Sequence, residues 1–227
     1  MFIPLHDDTP LRMIRFQVVT LVVIAANVAV FLTTGAFTGE AVLAAVATGF
    51  GVVPAELFGI ASGPYSPVPE PLTLLTYMFL HGGWWHLISN MLFLWVFADN
   101  IEDAFGHAAF AILYLLCGIA AAFVHAMMTM ASLDPLIGAS GAVSGVLGSY
   151  LLLYPRARVW ILLFLRLPLR IGAVWVLGGW FLLQIVSLIG ADDGPVRVAW
   201  WAHIGGFLAG LGVTFLLRSR LLIRVGD

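Results

Sequence analysis

Long apolar runs separated by short polar joints dominate this chain. Taking runs of about 17 to 25 residues as membrane-spanning length predicts helices near 14–33, 82–101, 107–130, 139–154, 172–190 and 198–218. The expected fold class is therefore an all-α integral membrane protein, a bundle of six transmembrane helices with a long first loop. No repeat or low-complexity tract interrupts it, so residues 1–227 read as a single membrane domain. The longest connection, roughly 34 to 81, mixes apolar patches (Ala41 to Val46, Phe50 to Val53) with Pro54, Pro64, Pro67, Pro69 and Pro71. It predicts a partly helical loop lying on the membrane interface.

Composition supports the membrane assignment: 62% of residues are hydrophobic and only 10% charged, with a mean hydropathy of +1.04. A soluble domain and a basic nucleic-acid-binding surface are both excluded. The single cysteine, Cys117, falls in an apolar run, where it forms no intrachain disulfide and reads as packing. Arg12 and Arg15 precede a first run long enough to span, so no cleavable signal peptide is expected and the first helix acts as its own anchor.

All the cations are arginines, and their placement orients the bundle. Arg12 and Arg15 precede the first helix, Arg156, Arg158, Arg166 and Arg170 lie between the fourth and fifth, and Arg218, Arg220 and Arg224 follow the sixth. By the positive-inside rule these segments, and both termini, are cytoplasmic. The opposite face keeps Arg197 with Glu40, Glu56, Glu70, Asp134, Asp192 and Asp193. The joint after the second helix lacks arginine and carries Asp99, Glu102 and Asp103, although acids count little in this rule.

In this orientation the second, fourth and sixth helices all start at the outer face. His81, His86 and Asn90 open the second, Ser140 opens the fourth, and His203 lies about five residues into the sixth. Polar groups are costly in a bilayer, so a layer of them marks a functional site. Ser140 stands at a helix N-terminus whose unpaired N–H groups favour a developing oxyanion, though by itself it reads equally as an N-cap. His203 reads as a base or as an interhelical hydrogen-bonding histidine. His86 and Asn90, four apart on one helical face, read as two oxyanion donors or as a polar pair satisfying each other. Gly141 with Gly145, and Gly206 with Gly210, form GxxxG patterns that let two helices approach closely and bring His203 to Ser140. Convergence of His81, His86 and His203 on a metal lacks a carboxylate or thiolate to complete it, so no metal is assigned. His125, near the outer end of the third helix, reads as a satisfied interhelical histidine before it reads as a group approaching the site, and Trp84, Trp85, Trp200 and Trp201 read as an aromatic belt.

These strings resemble the rhomboid family of intramembrane serine proteases. His81-Gly-Gly-Trp-Trp-His86-Leu-Ile-Ser-Asn90 is similar to the family's second-helix motif, and Glu102 to Gly106 to its E-x-x-x-G turn. Gly138-Ala139-Ser140-Gly141 resembles its nucleophile loop, and His203 with Gly205 and Gly206 its sixth-helix motif. The resemblance implies a Ser140–His203 dyad, an oxyanion site of His86, Asn90 and the Ser140 backbone N–H, and no cofactor. Its partners are then single-span transmembrane substrates and membrane lipid, cut near the outer face, with no nucleic acid. Gly179-Trp180-Phe181 resembles the fifth-helix segment that gates lateral substrate access, and equally an aromatic packing face.

The chain departs from the family in two places. Ser144 stands where some members carry an aromatic residue that stacks on the histidine, so another group or none orients His203. The Trp-Arg pair of some first loops is absent. A non-catalytic member of the fold that binds transmembrane clients is the alternative class. By analogy, the minimal architecture suggests a prokaryotic plasma membrane.

Overall fold

The computed structural model describes residues 2–62, 67–190 and 199–225. Pro64, Asp192, Asp193 and Arg197, which enter the expectations above, lie outside the described residues. The elements run β1 (Phe2–Asp7), α1 (Val18–Thr34), α2 (Glu40–Phe50), α3 (Pro54–Leu57), α4 (Glu70–Thr76) and a 3-10 turn at Tyr77–Phe79. Then come α5 (Trp84–Phe105), α6 (His107–Met128), α7 (Ser140–Leu153), β2 (Arg158–Leu163), β3 (Leu167–Gly172), α8 (Ala173–Ile189) and α9 (Trp200–Val225). Among the described residues, two helices are long and apolar enough to cross a membrane by length and composition, His107–Met128 and Trp200–Leu222.

The fold is predominantly helical, and the all-α expectation needs correction. A three-stranded antiparallel sheet, ordered β1-β2-β3, joins the N-terminal segment to the connection between α7 and α8. The arginines made that connection look like a plain loop, yet β-branched and aromatic residues alternate with them. Val159 and Ile161 of β2 are buried in the core while Arg158 faces out, which is strand behaviour. Phe164 and Leu165 turn the hairpin with left-handed φ of 52° and 59°.

The acids after the second predicted helix also differ from expectation. They are not on a loop, because α5 continues to Phe105 and turns only at Gly106, whose φ of 81° suits glycine. Asp103 accepts the backbone N–H groups of Arg12 (2.9 Å), Met13 (2.7 Å) and Ile14 (2.7 Å). Glu102, fully buried, accepts Val19 N–H (2.9 Å), Thr20 N–H (2.8 Å) and the Thr20 hydroxyl (2.7 Å). The first N–H groups of a helix have no partner inside it and carry the positive end of its dipole, so a carboxylate from a neighbouring helix caps α1. His107 Nδ1 lies 2.5 Å from the same carboxylate. At the far end α9 runs beyond the predicted residue 218, so Arg218 and Arg220 sit on the helix and not after it.

The long connection between α1 and α5 is not simply laid on the surface. Val52, Tyr77 and Met78 are buried within the same core as Phe97, Phe110 and Phe207, and Val53 and Ala55 are buried beside Val52 in the chain. Two of its residues brace the chain before α7: Val52 exchanges both backbone hydrogen bonds with Leu136 (3.0 and 2.8 Å), and the Tyr77 carbonyl accepts Gly138 N–H at 2.9 Å. Tyr77 is fixed in turn by donating its hydroxyl to the Gly118 carbonyl at 2.7 Å.

Candidate active site

Close backbone packing of α7 on α9 makes the site. A Cβ placed on Gly206 or Gly210 would run into the carbonyl oxygens of Gly141 and Gly145, and one on Gly148 into that of Phe207. Glycine at these positions therefore lets the two backbones touch. Ser149 adds a bond across the seam, its hydroxyl lying 3.0 Å from the Gly145 carbonyl and 3.1 Å from that of Gly210.

Ser140 is the first residue of α7, and His203 lies one turn into α9. The seam brings them together, with His203 Nε2 2.9 Å from Ser140 Oγ. Both line a cavity of about 1070 Å³ that His86, Asn90, His125 and Trp180 also face. A nucleophile hydroxyl within hydrogen-bond reach of an imidazole is the geometry that base-assisted attack requires.

Gly138 shapes the approach to Ser140. Its φ is 115°, and a Cβ there would fall 2.5 Å from His86 Nε2. Only glycine lets the loop before Ser140 lie directly against the His86 ring. His86 Nδ1 accepts a long bond from Gly82 N–H (3.4 Å), which leaves the Nε2 edge toward the loop. Asn90 donates to the His86 carbonyl at 3.0 Å, using one of the two N–H groups of its amide. His81 packs edge-on against His86 with ring centroids 4.9 Å apart.

Ser144 does not approach His203, for its hydroxyl donates back to the Ser140 carbonyl at 2.6 Å, one turn earlier in its own helix. The side chain that does meet the other edge of the imidazole is Gln184 of α8, with Oε1 2.7 Å from His203 Nδ1. The sequence shows Gln184 only as one of a few polar residues in the interior of an apolar helix. Its place four residues after Trp180, and so on the same helical face, was the available signal. Trp180 and Trp200 flank the ring at centroid distances of 6.0 and 6.1 Å. Phe181 instead stacks on Phe207 at 4.2 Å and 16°.

His125 takes the less expected of its two readings: it faces the cavity, and its Nδ1 has no hydrogen-bond partner among the described residues. Among the described residues no group of three or more His, Cys, Asp or Glu side chains is placed to hold a metal ion. Glu102 and Gly106 lie away from the cavity, at the α5–α6 turn that anchors α1.

An apolar helical fold closing over a Ser–His contact is a membrane-protein arrangement, and comparison with known proteins identifies its class. The rhomboid domain model matches residues 69–220, more than half of the chain. The chain belongs to the rhomboid family. It is 31% identical over 153 residues to Rhomboid protein 1, mitochondrial, of Saccharomyces cerevisiae, a match covering 63% of this chain and 41% of the yeast protein. RHOMBOID-like protein 6, mitochondrial, of Arabidopsis thaliana is 29% identical over 148 residues, 65% of this chain and 44% of that protein. The presenilin-associated rhomboid-like protein, mitochondrial, of Bos taurus is 28% identical over 158 residues, 66% of this chain and 39% of that protein. The matched region thus spans less than half the length of these relatives.

Their names correct the localisation expected from the sequence. These relatives are eukaryotic and named as mitochondrial, which contradicts the expectation of a prokaryotic plasma membrane. The cytoplasmic labels of the two termini fall with that expectation.

Proposed function

We propose that this chain is an intramembrane serine endopeptidase that cuts single-span transmembrane substrates with a Ser140–His203 dyad. The observation that carries the reading is the 2.9 Å contact of His203 Nε2 with Ser140 Oγ inside a large cavity. His203 takes the Ser140 proton as the oxygen attacks a peptide carbonyl, and returns it to the leaving amine. His86, Asn90 and the Ser140 backbone N–H supply hydrogen bonds to the oxyanion. Family membership supports the same assignment.

Six helices cross the membrane in this reading, α1 and α5 to α9. Helix α7 has 14 residues, so it rises only about 21 Å at 1.5 Å per residue. That is short of a hydrocarbon core of about 30 Å, so the loop before Ser140 lies below the membrane surface. Irregular backbone at such depth is tolerated only where protein buries it or water reaches it. The bracing of residues 136–138 by Val52 and Tyr77 provides the first, and the cavity the second. Trp180, on the cavity wall, and Phe181 beside it form the lateral gate through which a substrate helix reaches Ser140. A substrate must unwind locally to expose its carbonyl, so helix-breaking residues near the cut favour cleavage.

The test is cleavage of a panel of tagged single-span substrates by the reconstituted protein, with Ser140→Ala and His203→Ala compared. Loss of a wild-type product in both variants, with folding intact, supports the dyad. No product from any substrate, together with no labelling of Ser140 by a serine-reactive phosphonate, rejects it and favours a client-binding protein.

A further inference from the structure

We infer that Gln184 is the positioning residue of the site, fixing the tautomer and orientation of His203 so that a bare Nε2 faces Ser140. The inference rests on the protease reading for its consequence but not for its geometry. Gln184 is 6% exposed, and its amide is held at both ends. Its Nε2 donates to the Trp180 carbonyl at 3.2 Å, one turn earlier in α8. A carbonyl oxygen only accepts, so this bond sets which end of the amide is nitrogen.

The oxygen end therefore points at His203, 2.7 Å from Nδ1. A ring nitrogen facing an amide oxygen must carry the proton, and a neutral imidazole carries only one. Nε2, on the far side of the ring, is then left with its lone pair toward the Ser140 hydroxyl at 2.9 Å. The chain Trp180 carbonyl, Gln184 amide, His203, Ser140 thus has one consistent direction of donation. Reversing any link leaves two acceptors or two donors face to face.

Among the described residues no other polar side chain meets His203 Nδ1. Ser144 is turned back on the Ser140 carbonyl, and Trp180 and Trp200 flank the imidazole at centroid distances of 6.0 and 6.1 Å, which limits tilt without choosing a tautomer. The other charge-bearing groups facing the same cavity are His86 from α5, His125 from α6 and Asp134 from the connection before α7, while the two ring nitrogens of His203 meet Gln184 and Ser140. An amide adds no charge: Gln184 orients the base without holding a carboxylate's attraction for the imidazolium.

The experiment compares wild type, Gln184→Met and Gln184→Glu in lipid nanodiscs, reading kcat and KM on a cleaved substrate and the ¹⁵N spectrum of His203. Met matches the volume but offers only a weakly accepting thioether sulfur, whereas Glu keeps an oxygen toward Nδ1 whether ionised or protonated. Expected is one tautomer, protonated at Nδ1, in wild type and Gln184→Glu, and a tautomer mixture in Gln184→Met. Gln184→Met should lose up to about 10²-fold in kcat, the loss that a misplacement of about 1 Å brings, with KM little changed. Gln184→Glu should restore most of that rate. Where Gln184→Met fails to fold, Gln184→Asn withdraws the acceptor by one methylene and carries the same expectation.

Wild-type kcat and a single tautomer in the folded Met or Asn variant overturn the inference. So does a loss in Gln184→Met that Gln184→Glu leaves unrepaired, which marks a packing role. Wild-type protein that shows the Nδ1-protonated tautomer but cleaves nothing and resists labelling at Ser140 removes the protease reading and upholds the Gln184–His203 link.

Discussion

Gly206 lies with its Cα against the carbonyl oxygen of Gly141, in a space that admits no Cβ. Each glycine is within three residues of a side chain of the proposed dyad, His203 in α9 and Ser140 in α7. The contact is backbone on backbone, so neither side can give by changing a rotamer. The spacing of the two helices, and hence the 2.9 Å between His203 Nε2 and Ser140 Oγ, is set here.

Gly206→Ala should therefore push α9 from α7. Overpacking of this kind costs about 1–3 kcal/mol, and a shift of about 1 Å at the dyad lowers turnover by about 10²-fold. Thermal unfolding in detergent and phosphonate labelling of Ser140 check both parts. Labelling at the wild-type rate in the folded variant would show that the seam does not set the distance.

The sequence made the centre of this site legible and its supports much less so. Ser140, His203, His86 and Asn90 stand out because polar residues are conspicuous in apolar helices, and Gly141, Gly145, Gly206 and Gly210 because small residues repeat at helical spacing. Gln184 has the same conspicuousness but no partner visible from its position in the chain, since its contact is made across 19 residues to another helix. The sheet is hidden for a different reason. Its hairpin is short, and its first strand lies at the far end of the chain, with Phe2 opposite Leu163. Asp103 and Glu102 look like loop acids because acids inside an apolar helix are costly. The cost is offset by the packed α1 terminus, whose unpaired N–H groups meet Glu102, and by the backbone N–H groups of residues 12 to 14 before it, which meet Asp103.

Gly138 also excludes a Cβ, here on two grounds. Its φ of 115° is unfavourable for any L side chain, and the added atom would meet His86 Nε2 at 2.5 Å. Gly138→Ala should cost about 1–3 kcal/mol through backbone strain. It should also displace His86 or the loop before Ser140, lowering kcat more than it raises KM. Steady-state kinetics on the folded variant decide the matter, and a pure KM effect would place the disturbance in substrate binding instead.

Glu102 supports a prediction about stability alone. Its carboxylate takes two backbone N–H groups of α1 and the Thr20 hydroxyl. Hydrogen bonds to a charged group are worth about 1.5–3 kcal/mol each in mutational series, and donors left unsatisfied in a buried place add to the loss. Glu102→Ala should destabilise the protein by at least about 3 kcal/mol. Glu102→Gln should cost less, because its one carbonyl oxygen keeps part of the acceptor set. The two unfolding midpoints, measured side by side, test the order, and equal midpoints would remove the capping role.

Asp7 gives the fold a pH dependence with a definite sign. The carboxyl takes the Tyr150 hydroxyl hydrogen bond, and burial raises it above its ordinary value of 3.8 despite hydrogen bonds from Tyr150 and Thr9 that act the other way. The folded chain then binds a proton more tightly than the unfolded chain. The stabilisation is complete below pH 3.8 and is lost as pH rises through the raised value. Asp7→Asn removes the ionisation and keeps an oxygen for Tyr150. Its midpoint relative to wild type should rise from acid toward neutral pH, because wild type alone is weakened by charging a buried carboxylate. Thermal melts of both proteins across that range read the difference directly, and a gap that stays constant with pH would mean that Asp7 charges freely in the folded state.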